Sequence, residues 1–405
     1  MARTVVLVGT LDTKGVEFAF LRDRLRAAGV DTVLVDAGIL GPPQTEPDVT
    51  REEVAAAAGH DVGALRDAGD RGPAVMAMAE GAAVVVRRLF DEGRCDGVLA
   101  LGGSGGTSIA AEAMRGLPVG VPKLIVSTIA ASDTRSIIGE SDMILAASVV
   151  DIAGVNALSA RIMANAAAAM AGMVLAPEVE LGEARPLVAA SQFGVTTPCI
   201  TTARELLEAR GYEVLTFHMT GTGGRSMEHL MEAGYVRGVL DVTTTELCDE
   251  LVGGVFGAGP ERLTTAGRLG LPQVVSLGAL DMVNFGPRET VPAEFEDRNL
   301  YVHNAQVTLM RTTPEECAQL GREIGRKLSA ATGPTALFIP LRGVSMIAVE
   351  GGPFHDAAAD EALFTAVRES AGADVEVIAL DLDVNDPAFA QAMVDKLDAY
   401  LGGGR

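Results

Sequence analysis

The sequence predicts an α/β fold of two tandem Rossmann-like domains, each a doubly wound, mainly parallel sheet, and three observations carry that reading. Short β-branched runs alternate with longer helical stretches, the runs are apolar without in-and-out alternation, and loops rich in Gly, Ser or Thr follow them. Strands apolar on both faces belong to a parallel sheet covered by helices on both sides. A chain of 405 residues, 48% hydrophobic and 21% charged, is long enough to give each of two such domains its own core.

In chain order, Thr4–Val8 reads as a strand, Val16–Ala28 as a helix and Asp31–Asp36 as a second strand, which together make a βαβ unit. The stretch from Asp36 to Met78 is less regular. It holds Gly41-Pro42-Pro43 and a short helix at Arg51–Ala58, and is expected to be an inserted surface element. Gly97–Leu101 and Lys123–Val126 follow as buried strands, and the Ala-rich stretch Ile162–Ala176 as a buried helix. The polar, acidic segment Pro177–Pro186 marks the boundary and gives domains 1–182 and 183–405. The same grammar restarts with strands at Leu187–Ser191, Glu213–Phe217, Gly238–Val242, Gln273–Leu277, Thr335–Ile339 and Glu376–Leu380.

Charge and composition narrow the partners. Lys and Arg number 32 against 54 Asp and Glu, a formal charge of −22, with no basic run of five or more, so neither nucleic acid nor a membrane is expected as a partner. Cys95, Cys199, Cys248 and Cys317 form no CxxC pair, which suits a reduced, cytoplasmic setting. Gly9 interrupts the first apolar run too early for a signal-peptide core or a membrane span. The five histidines form neither HxH nor HExxH, so a metal site built mainly from histidine is not expected and no metal ligands are assigned, and no GxSxG elbow is present.

The sharpest local signal is Gly102-Gly103-Ser104-Gly105-Gly106-Thr107, where an apolar strand meets four glycines and then an Ala-rich helix. Glycines admit close backbone approach and a helix start favours an anion, although glycines that merely let helix and strand pack would read the same way. The loop has neither the Lys of a Walker A motif nor the GxGxxG spacing. A counterpart, Thr220-Gly221-Thr222-Gly223-Gly224-Arg225-Ser226, adds hydroxyls and a guanidinium suited to phosphate or carboxylate oxygens. Thr10, Asp12 and Lys14 in the first βα loop and Thr128 after a later strand join the ligand-binding candidates. Asn284 is a further polar candidate, and Glu246, Asp281 and His303 are the candidates for proton transfer.

Five strings in the sequence are long and unusual. They are Gly9-Thr10-Leu11-Asp12-Thr13-Lys14, Ser148 to Asn156, Gly221 to Glu228, Leu277 to Pro287 and His303 to Thr313. Through them nearly the whole chain resembles the ATP-binding-domain family typified by the N-terminal region of the tomato resistance protein against tomato mosaic virus. The resemblance implies two Rossmann-like lobes, nucleotide binding and a homodimer. The apolar, small-residue-rich segment Ile144–Val174 offers a surface for that dimer, or for a contact between domains. The resulting expectation is a small anionic ligand, with ATP and Mg²⁺ as the candidate cofactors, in an interdomain cleft lined by both glycine-rich loops. Two alternatives stand beside it: an enzyme, of hydrolase or lyase type, acting on a phosphorylated or carboxylated metabolite without ATP, and a ligand-sensing dimeric interaction protein.

Overall fold

Val5, Val6, Leu7 and Val8 are all buried, and they alternate between two separate core layers. That is how a strand in a parallel sheet covered on both faces disposes of an unbroken apolar run. The computed structural model describes residues 3–177, 179 and 185–402, and the chain divides into two compact units, Met1–Glu180 and Leu181–Arg405. The boundary expected at 182/183 lies outside the described residues.

The N-terminal unit runs β1 Thr4–Gly9, α1 Leu11–Ala27, β2 Asp31–Asp36, α2 Arg51–Ala57, α3 Val62–Ala68, α4 Arg71–Asp91, β3 Gly97–Gly102, α5 Ser104–Arg115, β4 Lys123–Ser127, α6 Arg135–Ile138, β5 Ile144–Ala147 and α7 Ala157–Leu175. Its five strands are parallel in the order β2-β1-β3-β4-β5. Val6, Val8, Val98 and Ala100 pack under α4 and α5, while Val5, Leu7, Leu99 and Leu101 pack under α1 and α7. The chain leaves β1 to one side for β2 and returns to its other side for β3, so the C-terminal ends of β1 and β3 flank the point where connections diverge and ligands dock.

Three features depart from the sequence reading. Helix α1 starts at Leu11, before Val16, and is kinked at Lys14. The irregular stretch after β2 holds α2, α3 and the first turns of α4. Ile144–Ala147 is an edge strand, and the helix expected from Ile162 begins at Ala157, where Asn156 accepts from the amides of Leu158 and Ser159 as an N-cap. Among the described residues α7 is the one helix long and apolar enough to cross a membrane by length and composition. Its Met163, Ala167, Met170 and Val174 lie in the core under β1 and β3.

The C-terminal unit runs β6 Leu187–Gln192, α8 Thr197–Ala209, β7 Glu213–His218, α9 Thr222–Glu232, β8 Gly238–Thr243, α10 Glu246–Val252, α11 Thr265–Arg268, β9 Gln273–Gly278, β10 Met282–Phe285, β11 Leu300–Asn304, β12 Val307–Arg311, α12 Pro314–Ser329, β13 Thr335–Pro340, α13 Ala357–Ser370, β14 Val375–Leu380 and α14 Pro387–Leu401. Its main sheet, β14-β13-β9-β8-β6-β7, is parallel throughout. Read from β7, that is the strand order of the N-terminal unit with one strand added. No local pattern announces the small antiparallel sheet β10-β12-β11 inserted before α12. Its β11 is exposed along most of its length and its β12 buried along most of its length, so neither shows the alternation that announces a half-buried hairpin.

Candidate functional site

A cavity of about 420 Å³ lies at the C-terminal ends of β1 and β3 in the N-terminal unit. Three walls enclose it. The junction of β1 with the first turn of α1 contributes Thr10, Asp12 and Lys14, the end of β3 and the start of α5 contribute Gly102, Gly103, Ser104, Gly105 and Gly106, and the segment after β2 contributes an aliphatic side. That side is built by Ile39, Leu65, Val75 and Met78, with Ile109 of α5 closing it from below.

The glycines of this loop are informative because packing does not demand them. A Cβ built on Gly103 would meet nothing nearer than Thr128 Oγ1 at 3.8 Å, one on Gly105 nothing nearer than Arg71 Nη2 at 3.7 Å, and one on Gly106 nothing nearer than Leu101 O at 3.5 Å. Only Gly102 is confined, its Cβ falling 2.9 Å from Gly106 Cα. The amides of Ser104, Gly105 and Gly106 open α5 and have no acceptor within the helix, the first internal bond being Thr107 N–H to Gly103 O at 2.8 Å. Thr107 itself faces away. Its buried hydroxyl meets Ser127 Oγ at 2.7 Å and ties β3 to β4, which corrects its assignment to the ligand. Thr128 is exposed beside Gly103.

The charged groups around the cavity are partly committed. Lys14 Nζ donates to Ile152 O. Asp12 Oδ2 accepts from Leu40 N–H at 2.7 Å and Gly41 N–H at 3.3 Å, whereas its buried Oδ1 has no partner. Thr10 and Thr13 share a hydroxyl contact of 3.0 Å. Asp36, the acid at the end of β2, is buried against Arg51 (2.8 Å) and the amides of Leu11 and Gly38, and burial raises its pKa. It is therefore closed to a ribose hydroxyl. Arg66 and Arg71 also line the cavity. Sequence reasoning missed both, since they sit in the irregular segment with no motif around them.

The second glycine-rich loop is built the opposite way. Gly221 N–H and Gly224 N–H donate to Glu246 Oε1 at 2.7 and 3.1 Å, so the anion at the start of α9 is the chain's own carboxylate. A Cβ on Gly224 would collide with Glu246 Oε2, one on Gly223 with the backbone oxygen of His218, and one on Gly221 would lie 2.8 Å from Gly257 O. Close packing explains all three glycines. Glu246 also accepts from Arg262 Nε at 2.7 Å, and Arg262 grips Asp241 through Nη1 and Nη2 at 2.6 and 2.8 Å. Burial raises the Glu246 pKa, opposed by Arg262 and the two amides. At the loop's surface, Thr222 and Arg225 are exposed, Ser226 is half-buried, and Thr220 Oγ1 donates to His218 O at 3.3 Å.

The three proton-transfer candidates are not brought together. Glu246 and Asp281 are fully buried. Asp281 Oδ2 accepts from Ser345 Oγ at 2.7 Å, and burial pushes its pKa up to about 6. His303 is exposed on β11 with its ring 6.5 Å from that of Tyr301, and no bond joins it to either acid. Asn284 is buried on β10. Its amide group donates to Thr245 Oγ1 and to Asp249, whose pKa burial pushes up to about 7. Among the described residues no group of three or more His, Cys, Asp or Glu is placed to hold a metal.

Fold and site together define a two-unit α/β protein with a ligand-sized cavity at the strand-order reversal of its first sheet. The chain belongs to the family described as uncharacterised protein family UPF0261, whose N-terminal domain matches residues 3–179 and whose C-terminal domain matches residues 185–401. A UPF0261 protein of Clostridium tetani is 51% identical over 398 residues, covering 98% of both chains. The tomato ToMV resistance protein Tm-1 is 38% identical over 413 residues, covering 96% of this chain and 55% of that protein, which bears out the relationship suggested by the quoted strings; ATP binding does not follow from it. A UDP-N-acetylglucosamine 2-epimerase of Rickettsia bellii, covering 68% of this chain and 78% of its own at 12% identity, has a TM-score of 0.24, too low to bear on ligand or reaction.

Proposed function

We propose that the N-terminal unit binds a small anionic molecule, a nucleotide such as ATP being the leading candidate, with its phosphate at the start of α5. One observation carries the reading: beside helix-start amides and the Arg71 guanidinium, a Cβ on Gly103, Gly105 or Gly106 would meet its neighbours only at ordinary contact distance, so packing does not require glycine there. Phosphate oxygens accept from Ser104, Gly105 and Gly106 N–H, with Arg71 and Lys14 as charged donors. The rest of the ligand lies on Ile39, Leu65, Val75 and Met78. If a magnesium ion accompanies the phosphate, Asp12 is the carboxylate beside it, and its buried, unpartnered Oδ1 fits that role.

Calorimetry with ATP, ADP and inorganic phosphate, with and without Mg²⁺, followed by an assay for released phosphate, tests this. Saturable binding that Arg71→Ala weakens by roughly 1.5–3 kcal/mol, one charge-assisted contact, is the expected result. An absence of binding at millimolar ATP, ADP and phosphate would sink it. A second reading, an enzyme acting on a phosphorylated or carboxylated metabolite without ATP, is favoured by the lining, whose apolar side is aliphatic and which among the described residues holds no aromatic ring for a base to stack on. Turnover of a metabolite panel without nucleotide separates the two.

A further inference from the structure

Helix α3 is the least anchored wall of the cavity. Of its seven residues only Val62 is buried, with Leu65 half-buried against the core. Both flanks are glycines in the left-handed region, Gly59 at φ +77° and Gly69 at φ +66°, with open space where a Cβ would stand. Such positions absorb backbone rotation at little cost. One side-chain hydrogen bond reaches from the helix to another part of the fold, Arg66 Nε to Ile39 O at 2.9 Å, and the Arg66 terminal N–H groups have no partner among the described residues. Leu65, Arg66, Gly69, Asp70 and Arg71 nevertheless all face the cavity. A helix held, among the described residues, by one buried and one half-buried side chain and one exchangeable side-chain hydrogen bond, between two glycine pivots, sits at the low-stability end of a fold, where lids are found.

We propose that residues 59–70 form a lid that closes over the bound anion, and that Arg66 is the residue it delivers, exchanging the neutral Ile39 carbonyl for the ligand's charge. The inference rests on the binding reading above. It assigns Arg66 a part that no motif marks: two guanidiniums, Arg66 from the lid and Arg71 from the start of α4, join the α5 amides in meeting the anion. Closure also brings Leu65 down and removes water from the aliphatic side.

The test is hydrogen–deuterium exchange on the intact chain, with and without millimolar ATP or inorganic phosphate, beside calorimetry of the same mixtures. Binding heat together with about tenfold slower exchange across 59–70 is the expected result. Arg66→Ala is expected to weaken binding by roughly tenfold to a hundredfold, with Arg66→Lys in between, and to abolish the added protection. Heat with unchanged exchange across 59–70 overturns the lid and leaves the binding reading standing. Protection with undiminished affinity in Arg66→Ala removes Arg66 from the proposal, and no heat with either probe overturns the lid and the binding reading together.

Discussion

The two parallel sheets share one strand order, β2-β1-β3-β4-β5 in one and β7-β6-β8-β9-β13 in the other before β14 is added, yet their glycine-rich loops have opposite fates. In the first, the amides opening α5 face a cavity, and three of the four glycines would take a Cβ at ordinary contact distance. In the second, the loop after β7 closes on Glu246, and every glycine there is pressed by a neighbouring atom. A strand, a glycine-rich loop and a helix start therefore specify an anion without saying whose it is. Whether the site is open depends on what the rest of the chain brings to it, here a glutamate 22 and 25 residues beyond the two amides it caps.

The largest effect that would sharpen this contrast is expected at Arg262. It is buried between Asp241 and Glu246, and its removal strands two carboxylates in the interior. Arg262→Met should cost about 3–5 kcal/mol of stability by denaturant titration, whereas Arg71→Met on the exposed rim of the first site should cost less than about 0.5 kcal/mol. Equal losses would mean that the second site is no more internally committed than the first.

Acidity separates the units next. Asp249 holds its proton to about pH 7 in the folded chain, against about 3.9 in an unfolded one. Between those values the folded state binds more protons, so the stability this group contributes is complete below pH 4 and lost as pH rises through 7. Wild type should lose on the order of 2–4 kcal/mol across that window through Asp249, and Asp249→Asn should flatten the slope. An unchanged slope would show that Asp249 titrates normally. A smaller effect, about 1–3 kcal/mol of destabilisation, is expected for Gly223→Ala, whose Cβ would collide with the His218 carbonyl.

Much of the fold was legible because parallel strands are short apolar runs, and Val5–Val8, Leu187–Ser191 and Gln273–Leu277 read as such without any tertiary information. The β3–α5 loop was legible for the same reason, its glycines being contiguous with a strand and a helix. What escaped depends on distance along the chain. The cap that Glu246 places on Gly221 and Gly224, the Arg262–Asp241 pairing and the arrival of Arg71 beside Gly105, with Arg66 lining the same cavity, join segments tens of residues apart. No local pattern encodes them. Asp281 and Asn284 read as site candidates because a polar loop at a strand end and a buried polar network use the same residue types; only burial distinguishes them.

The smallest stability effect is also the one that can break the comparison. Gly105 lies in the first turn of α5 with helical neighbours, and an added methyl meets nothing nearer than 3.7 Å, so Gly105→Ala should leave the fold unchanged or stabilise it by up to about 1 kcal/mol through helix propensity. The same methyl stands where the proposed phosphate approaches the amides, and it should weaken binding of ATP or phosphate by about tenfold or more. Stability and affinity then move in opposite directions, as expected where a glycine is kept for a ligand and not for packing. Thermal unfolding and calorimetry on one preparation read both. If Gly105→Ala instead destabilises the chain as Gly223→Ala is expected to, the open loop is under internal constraint after all, and the difference between the two sites disappears.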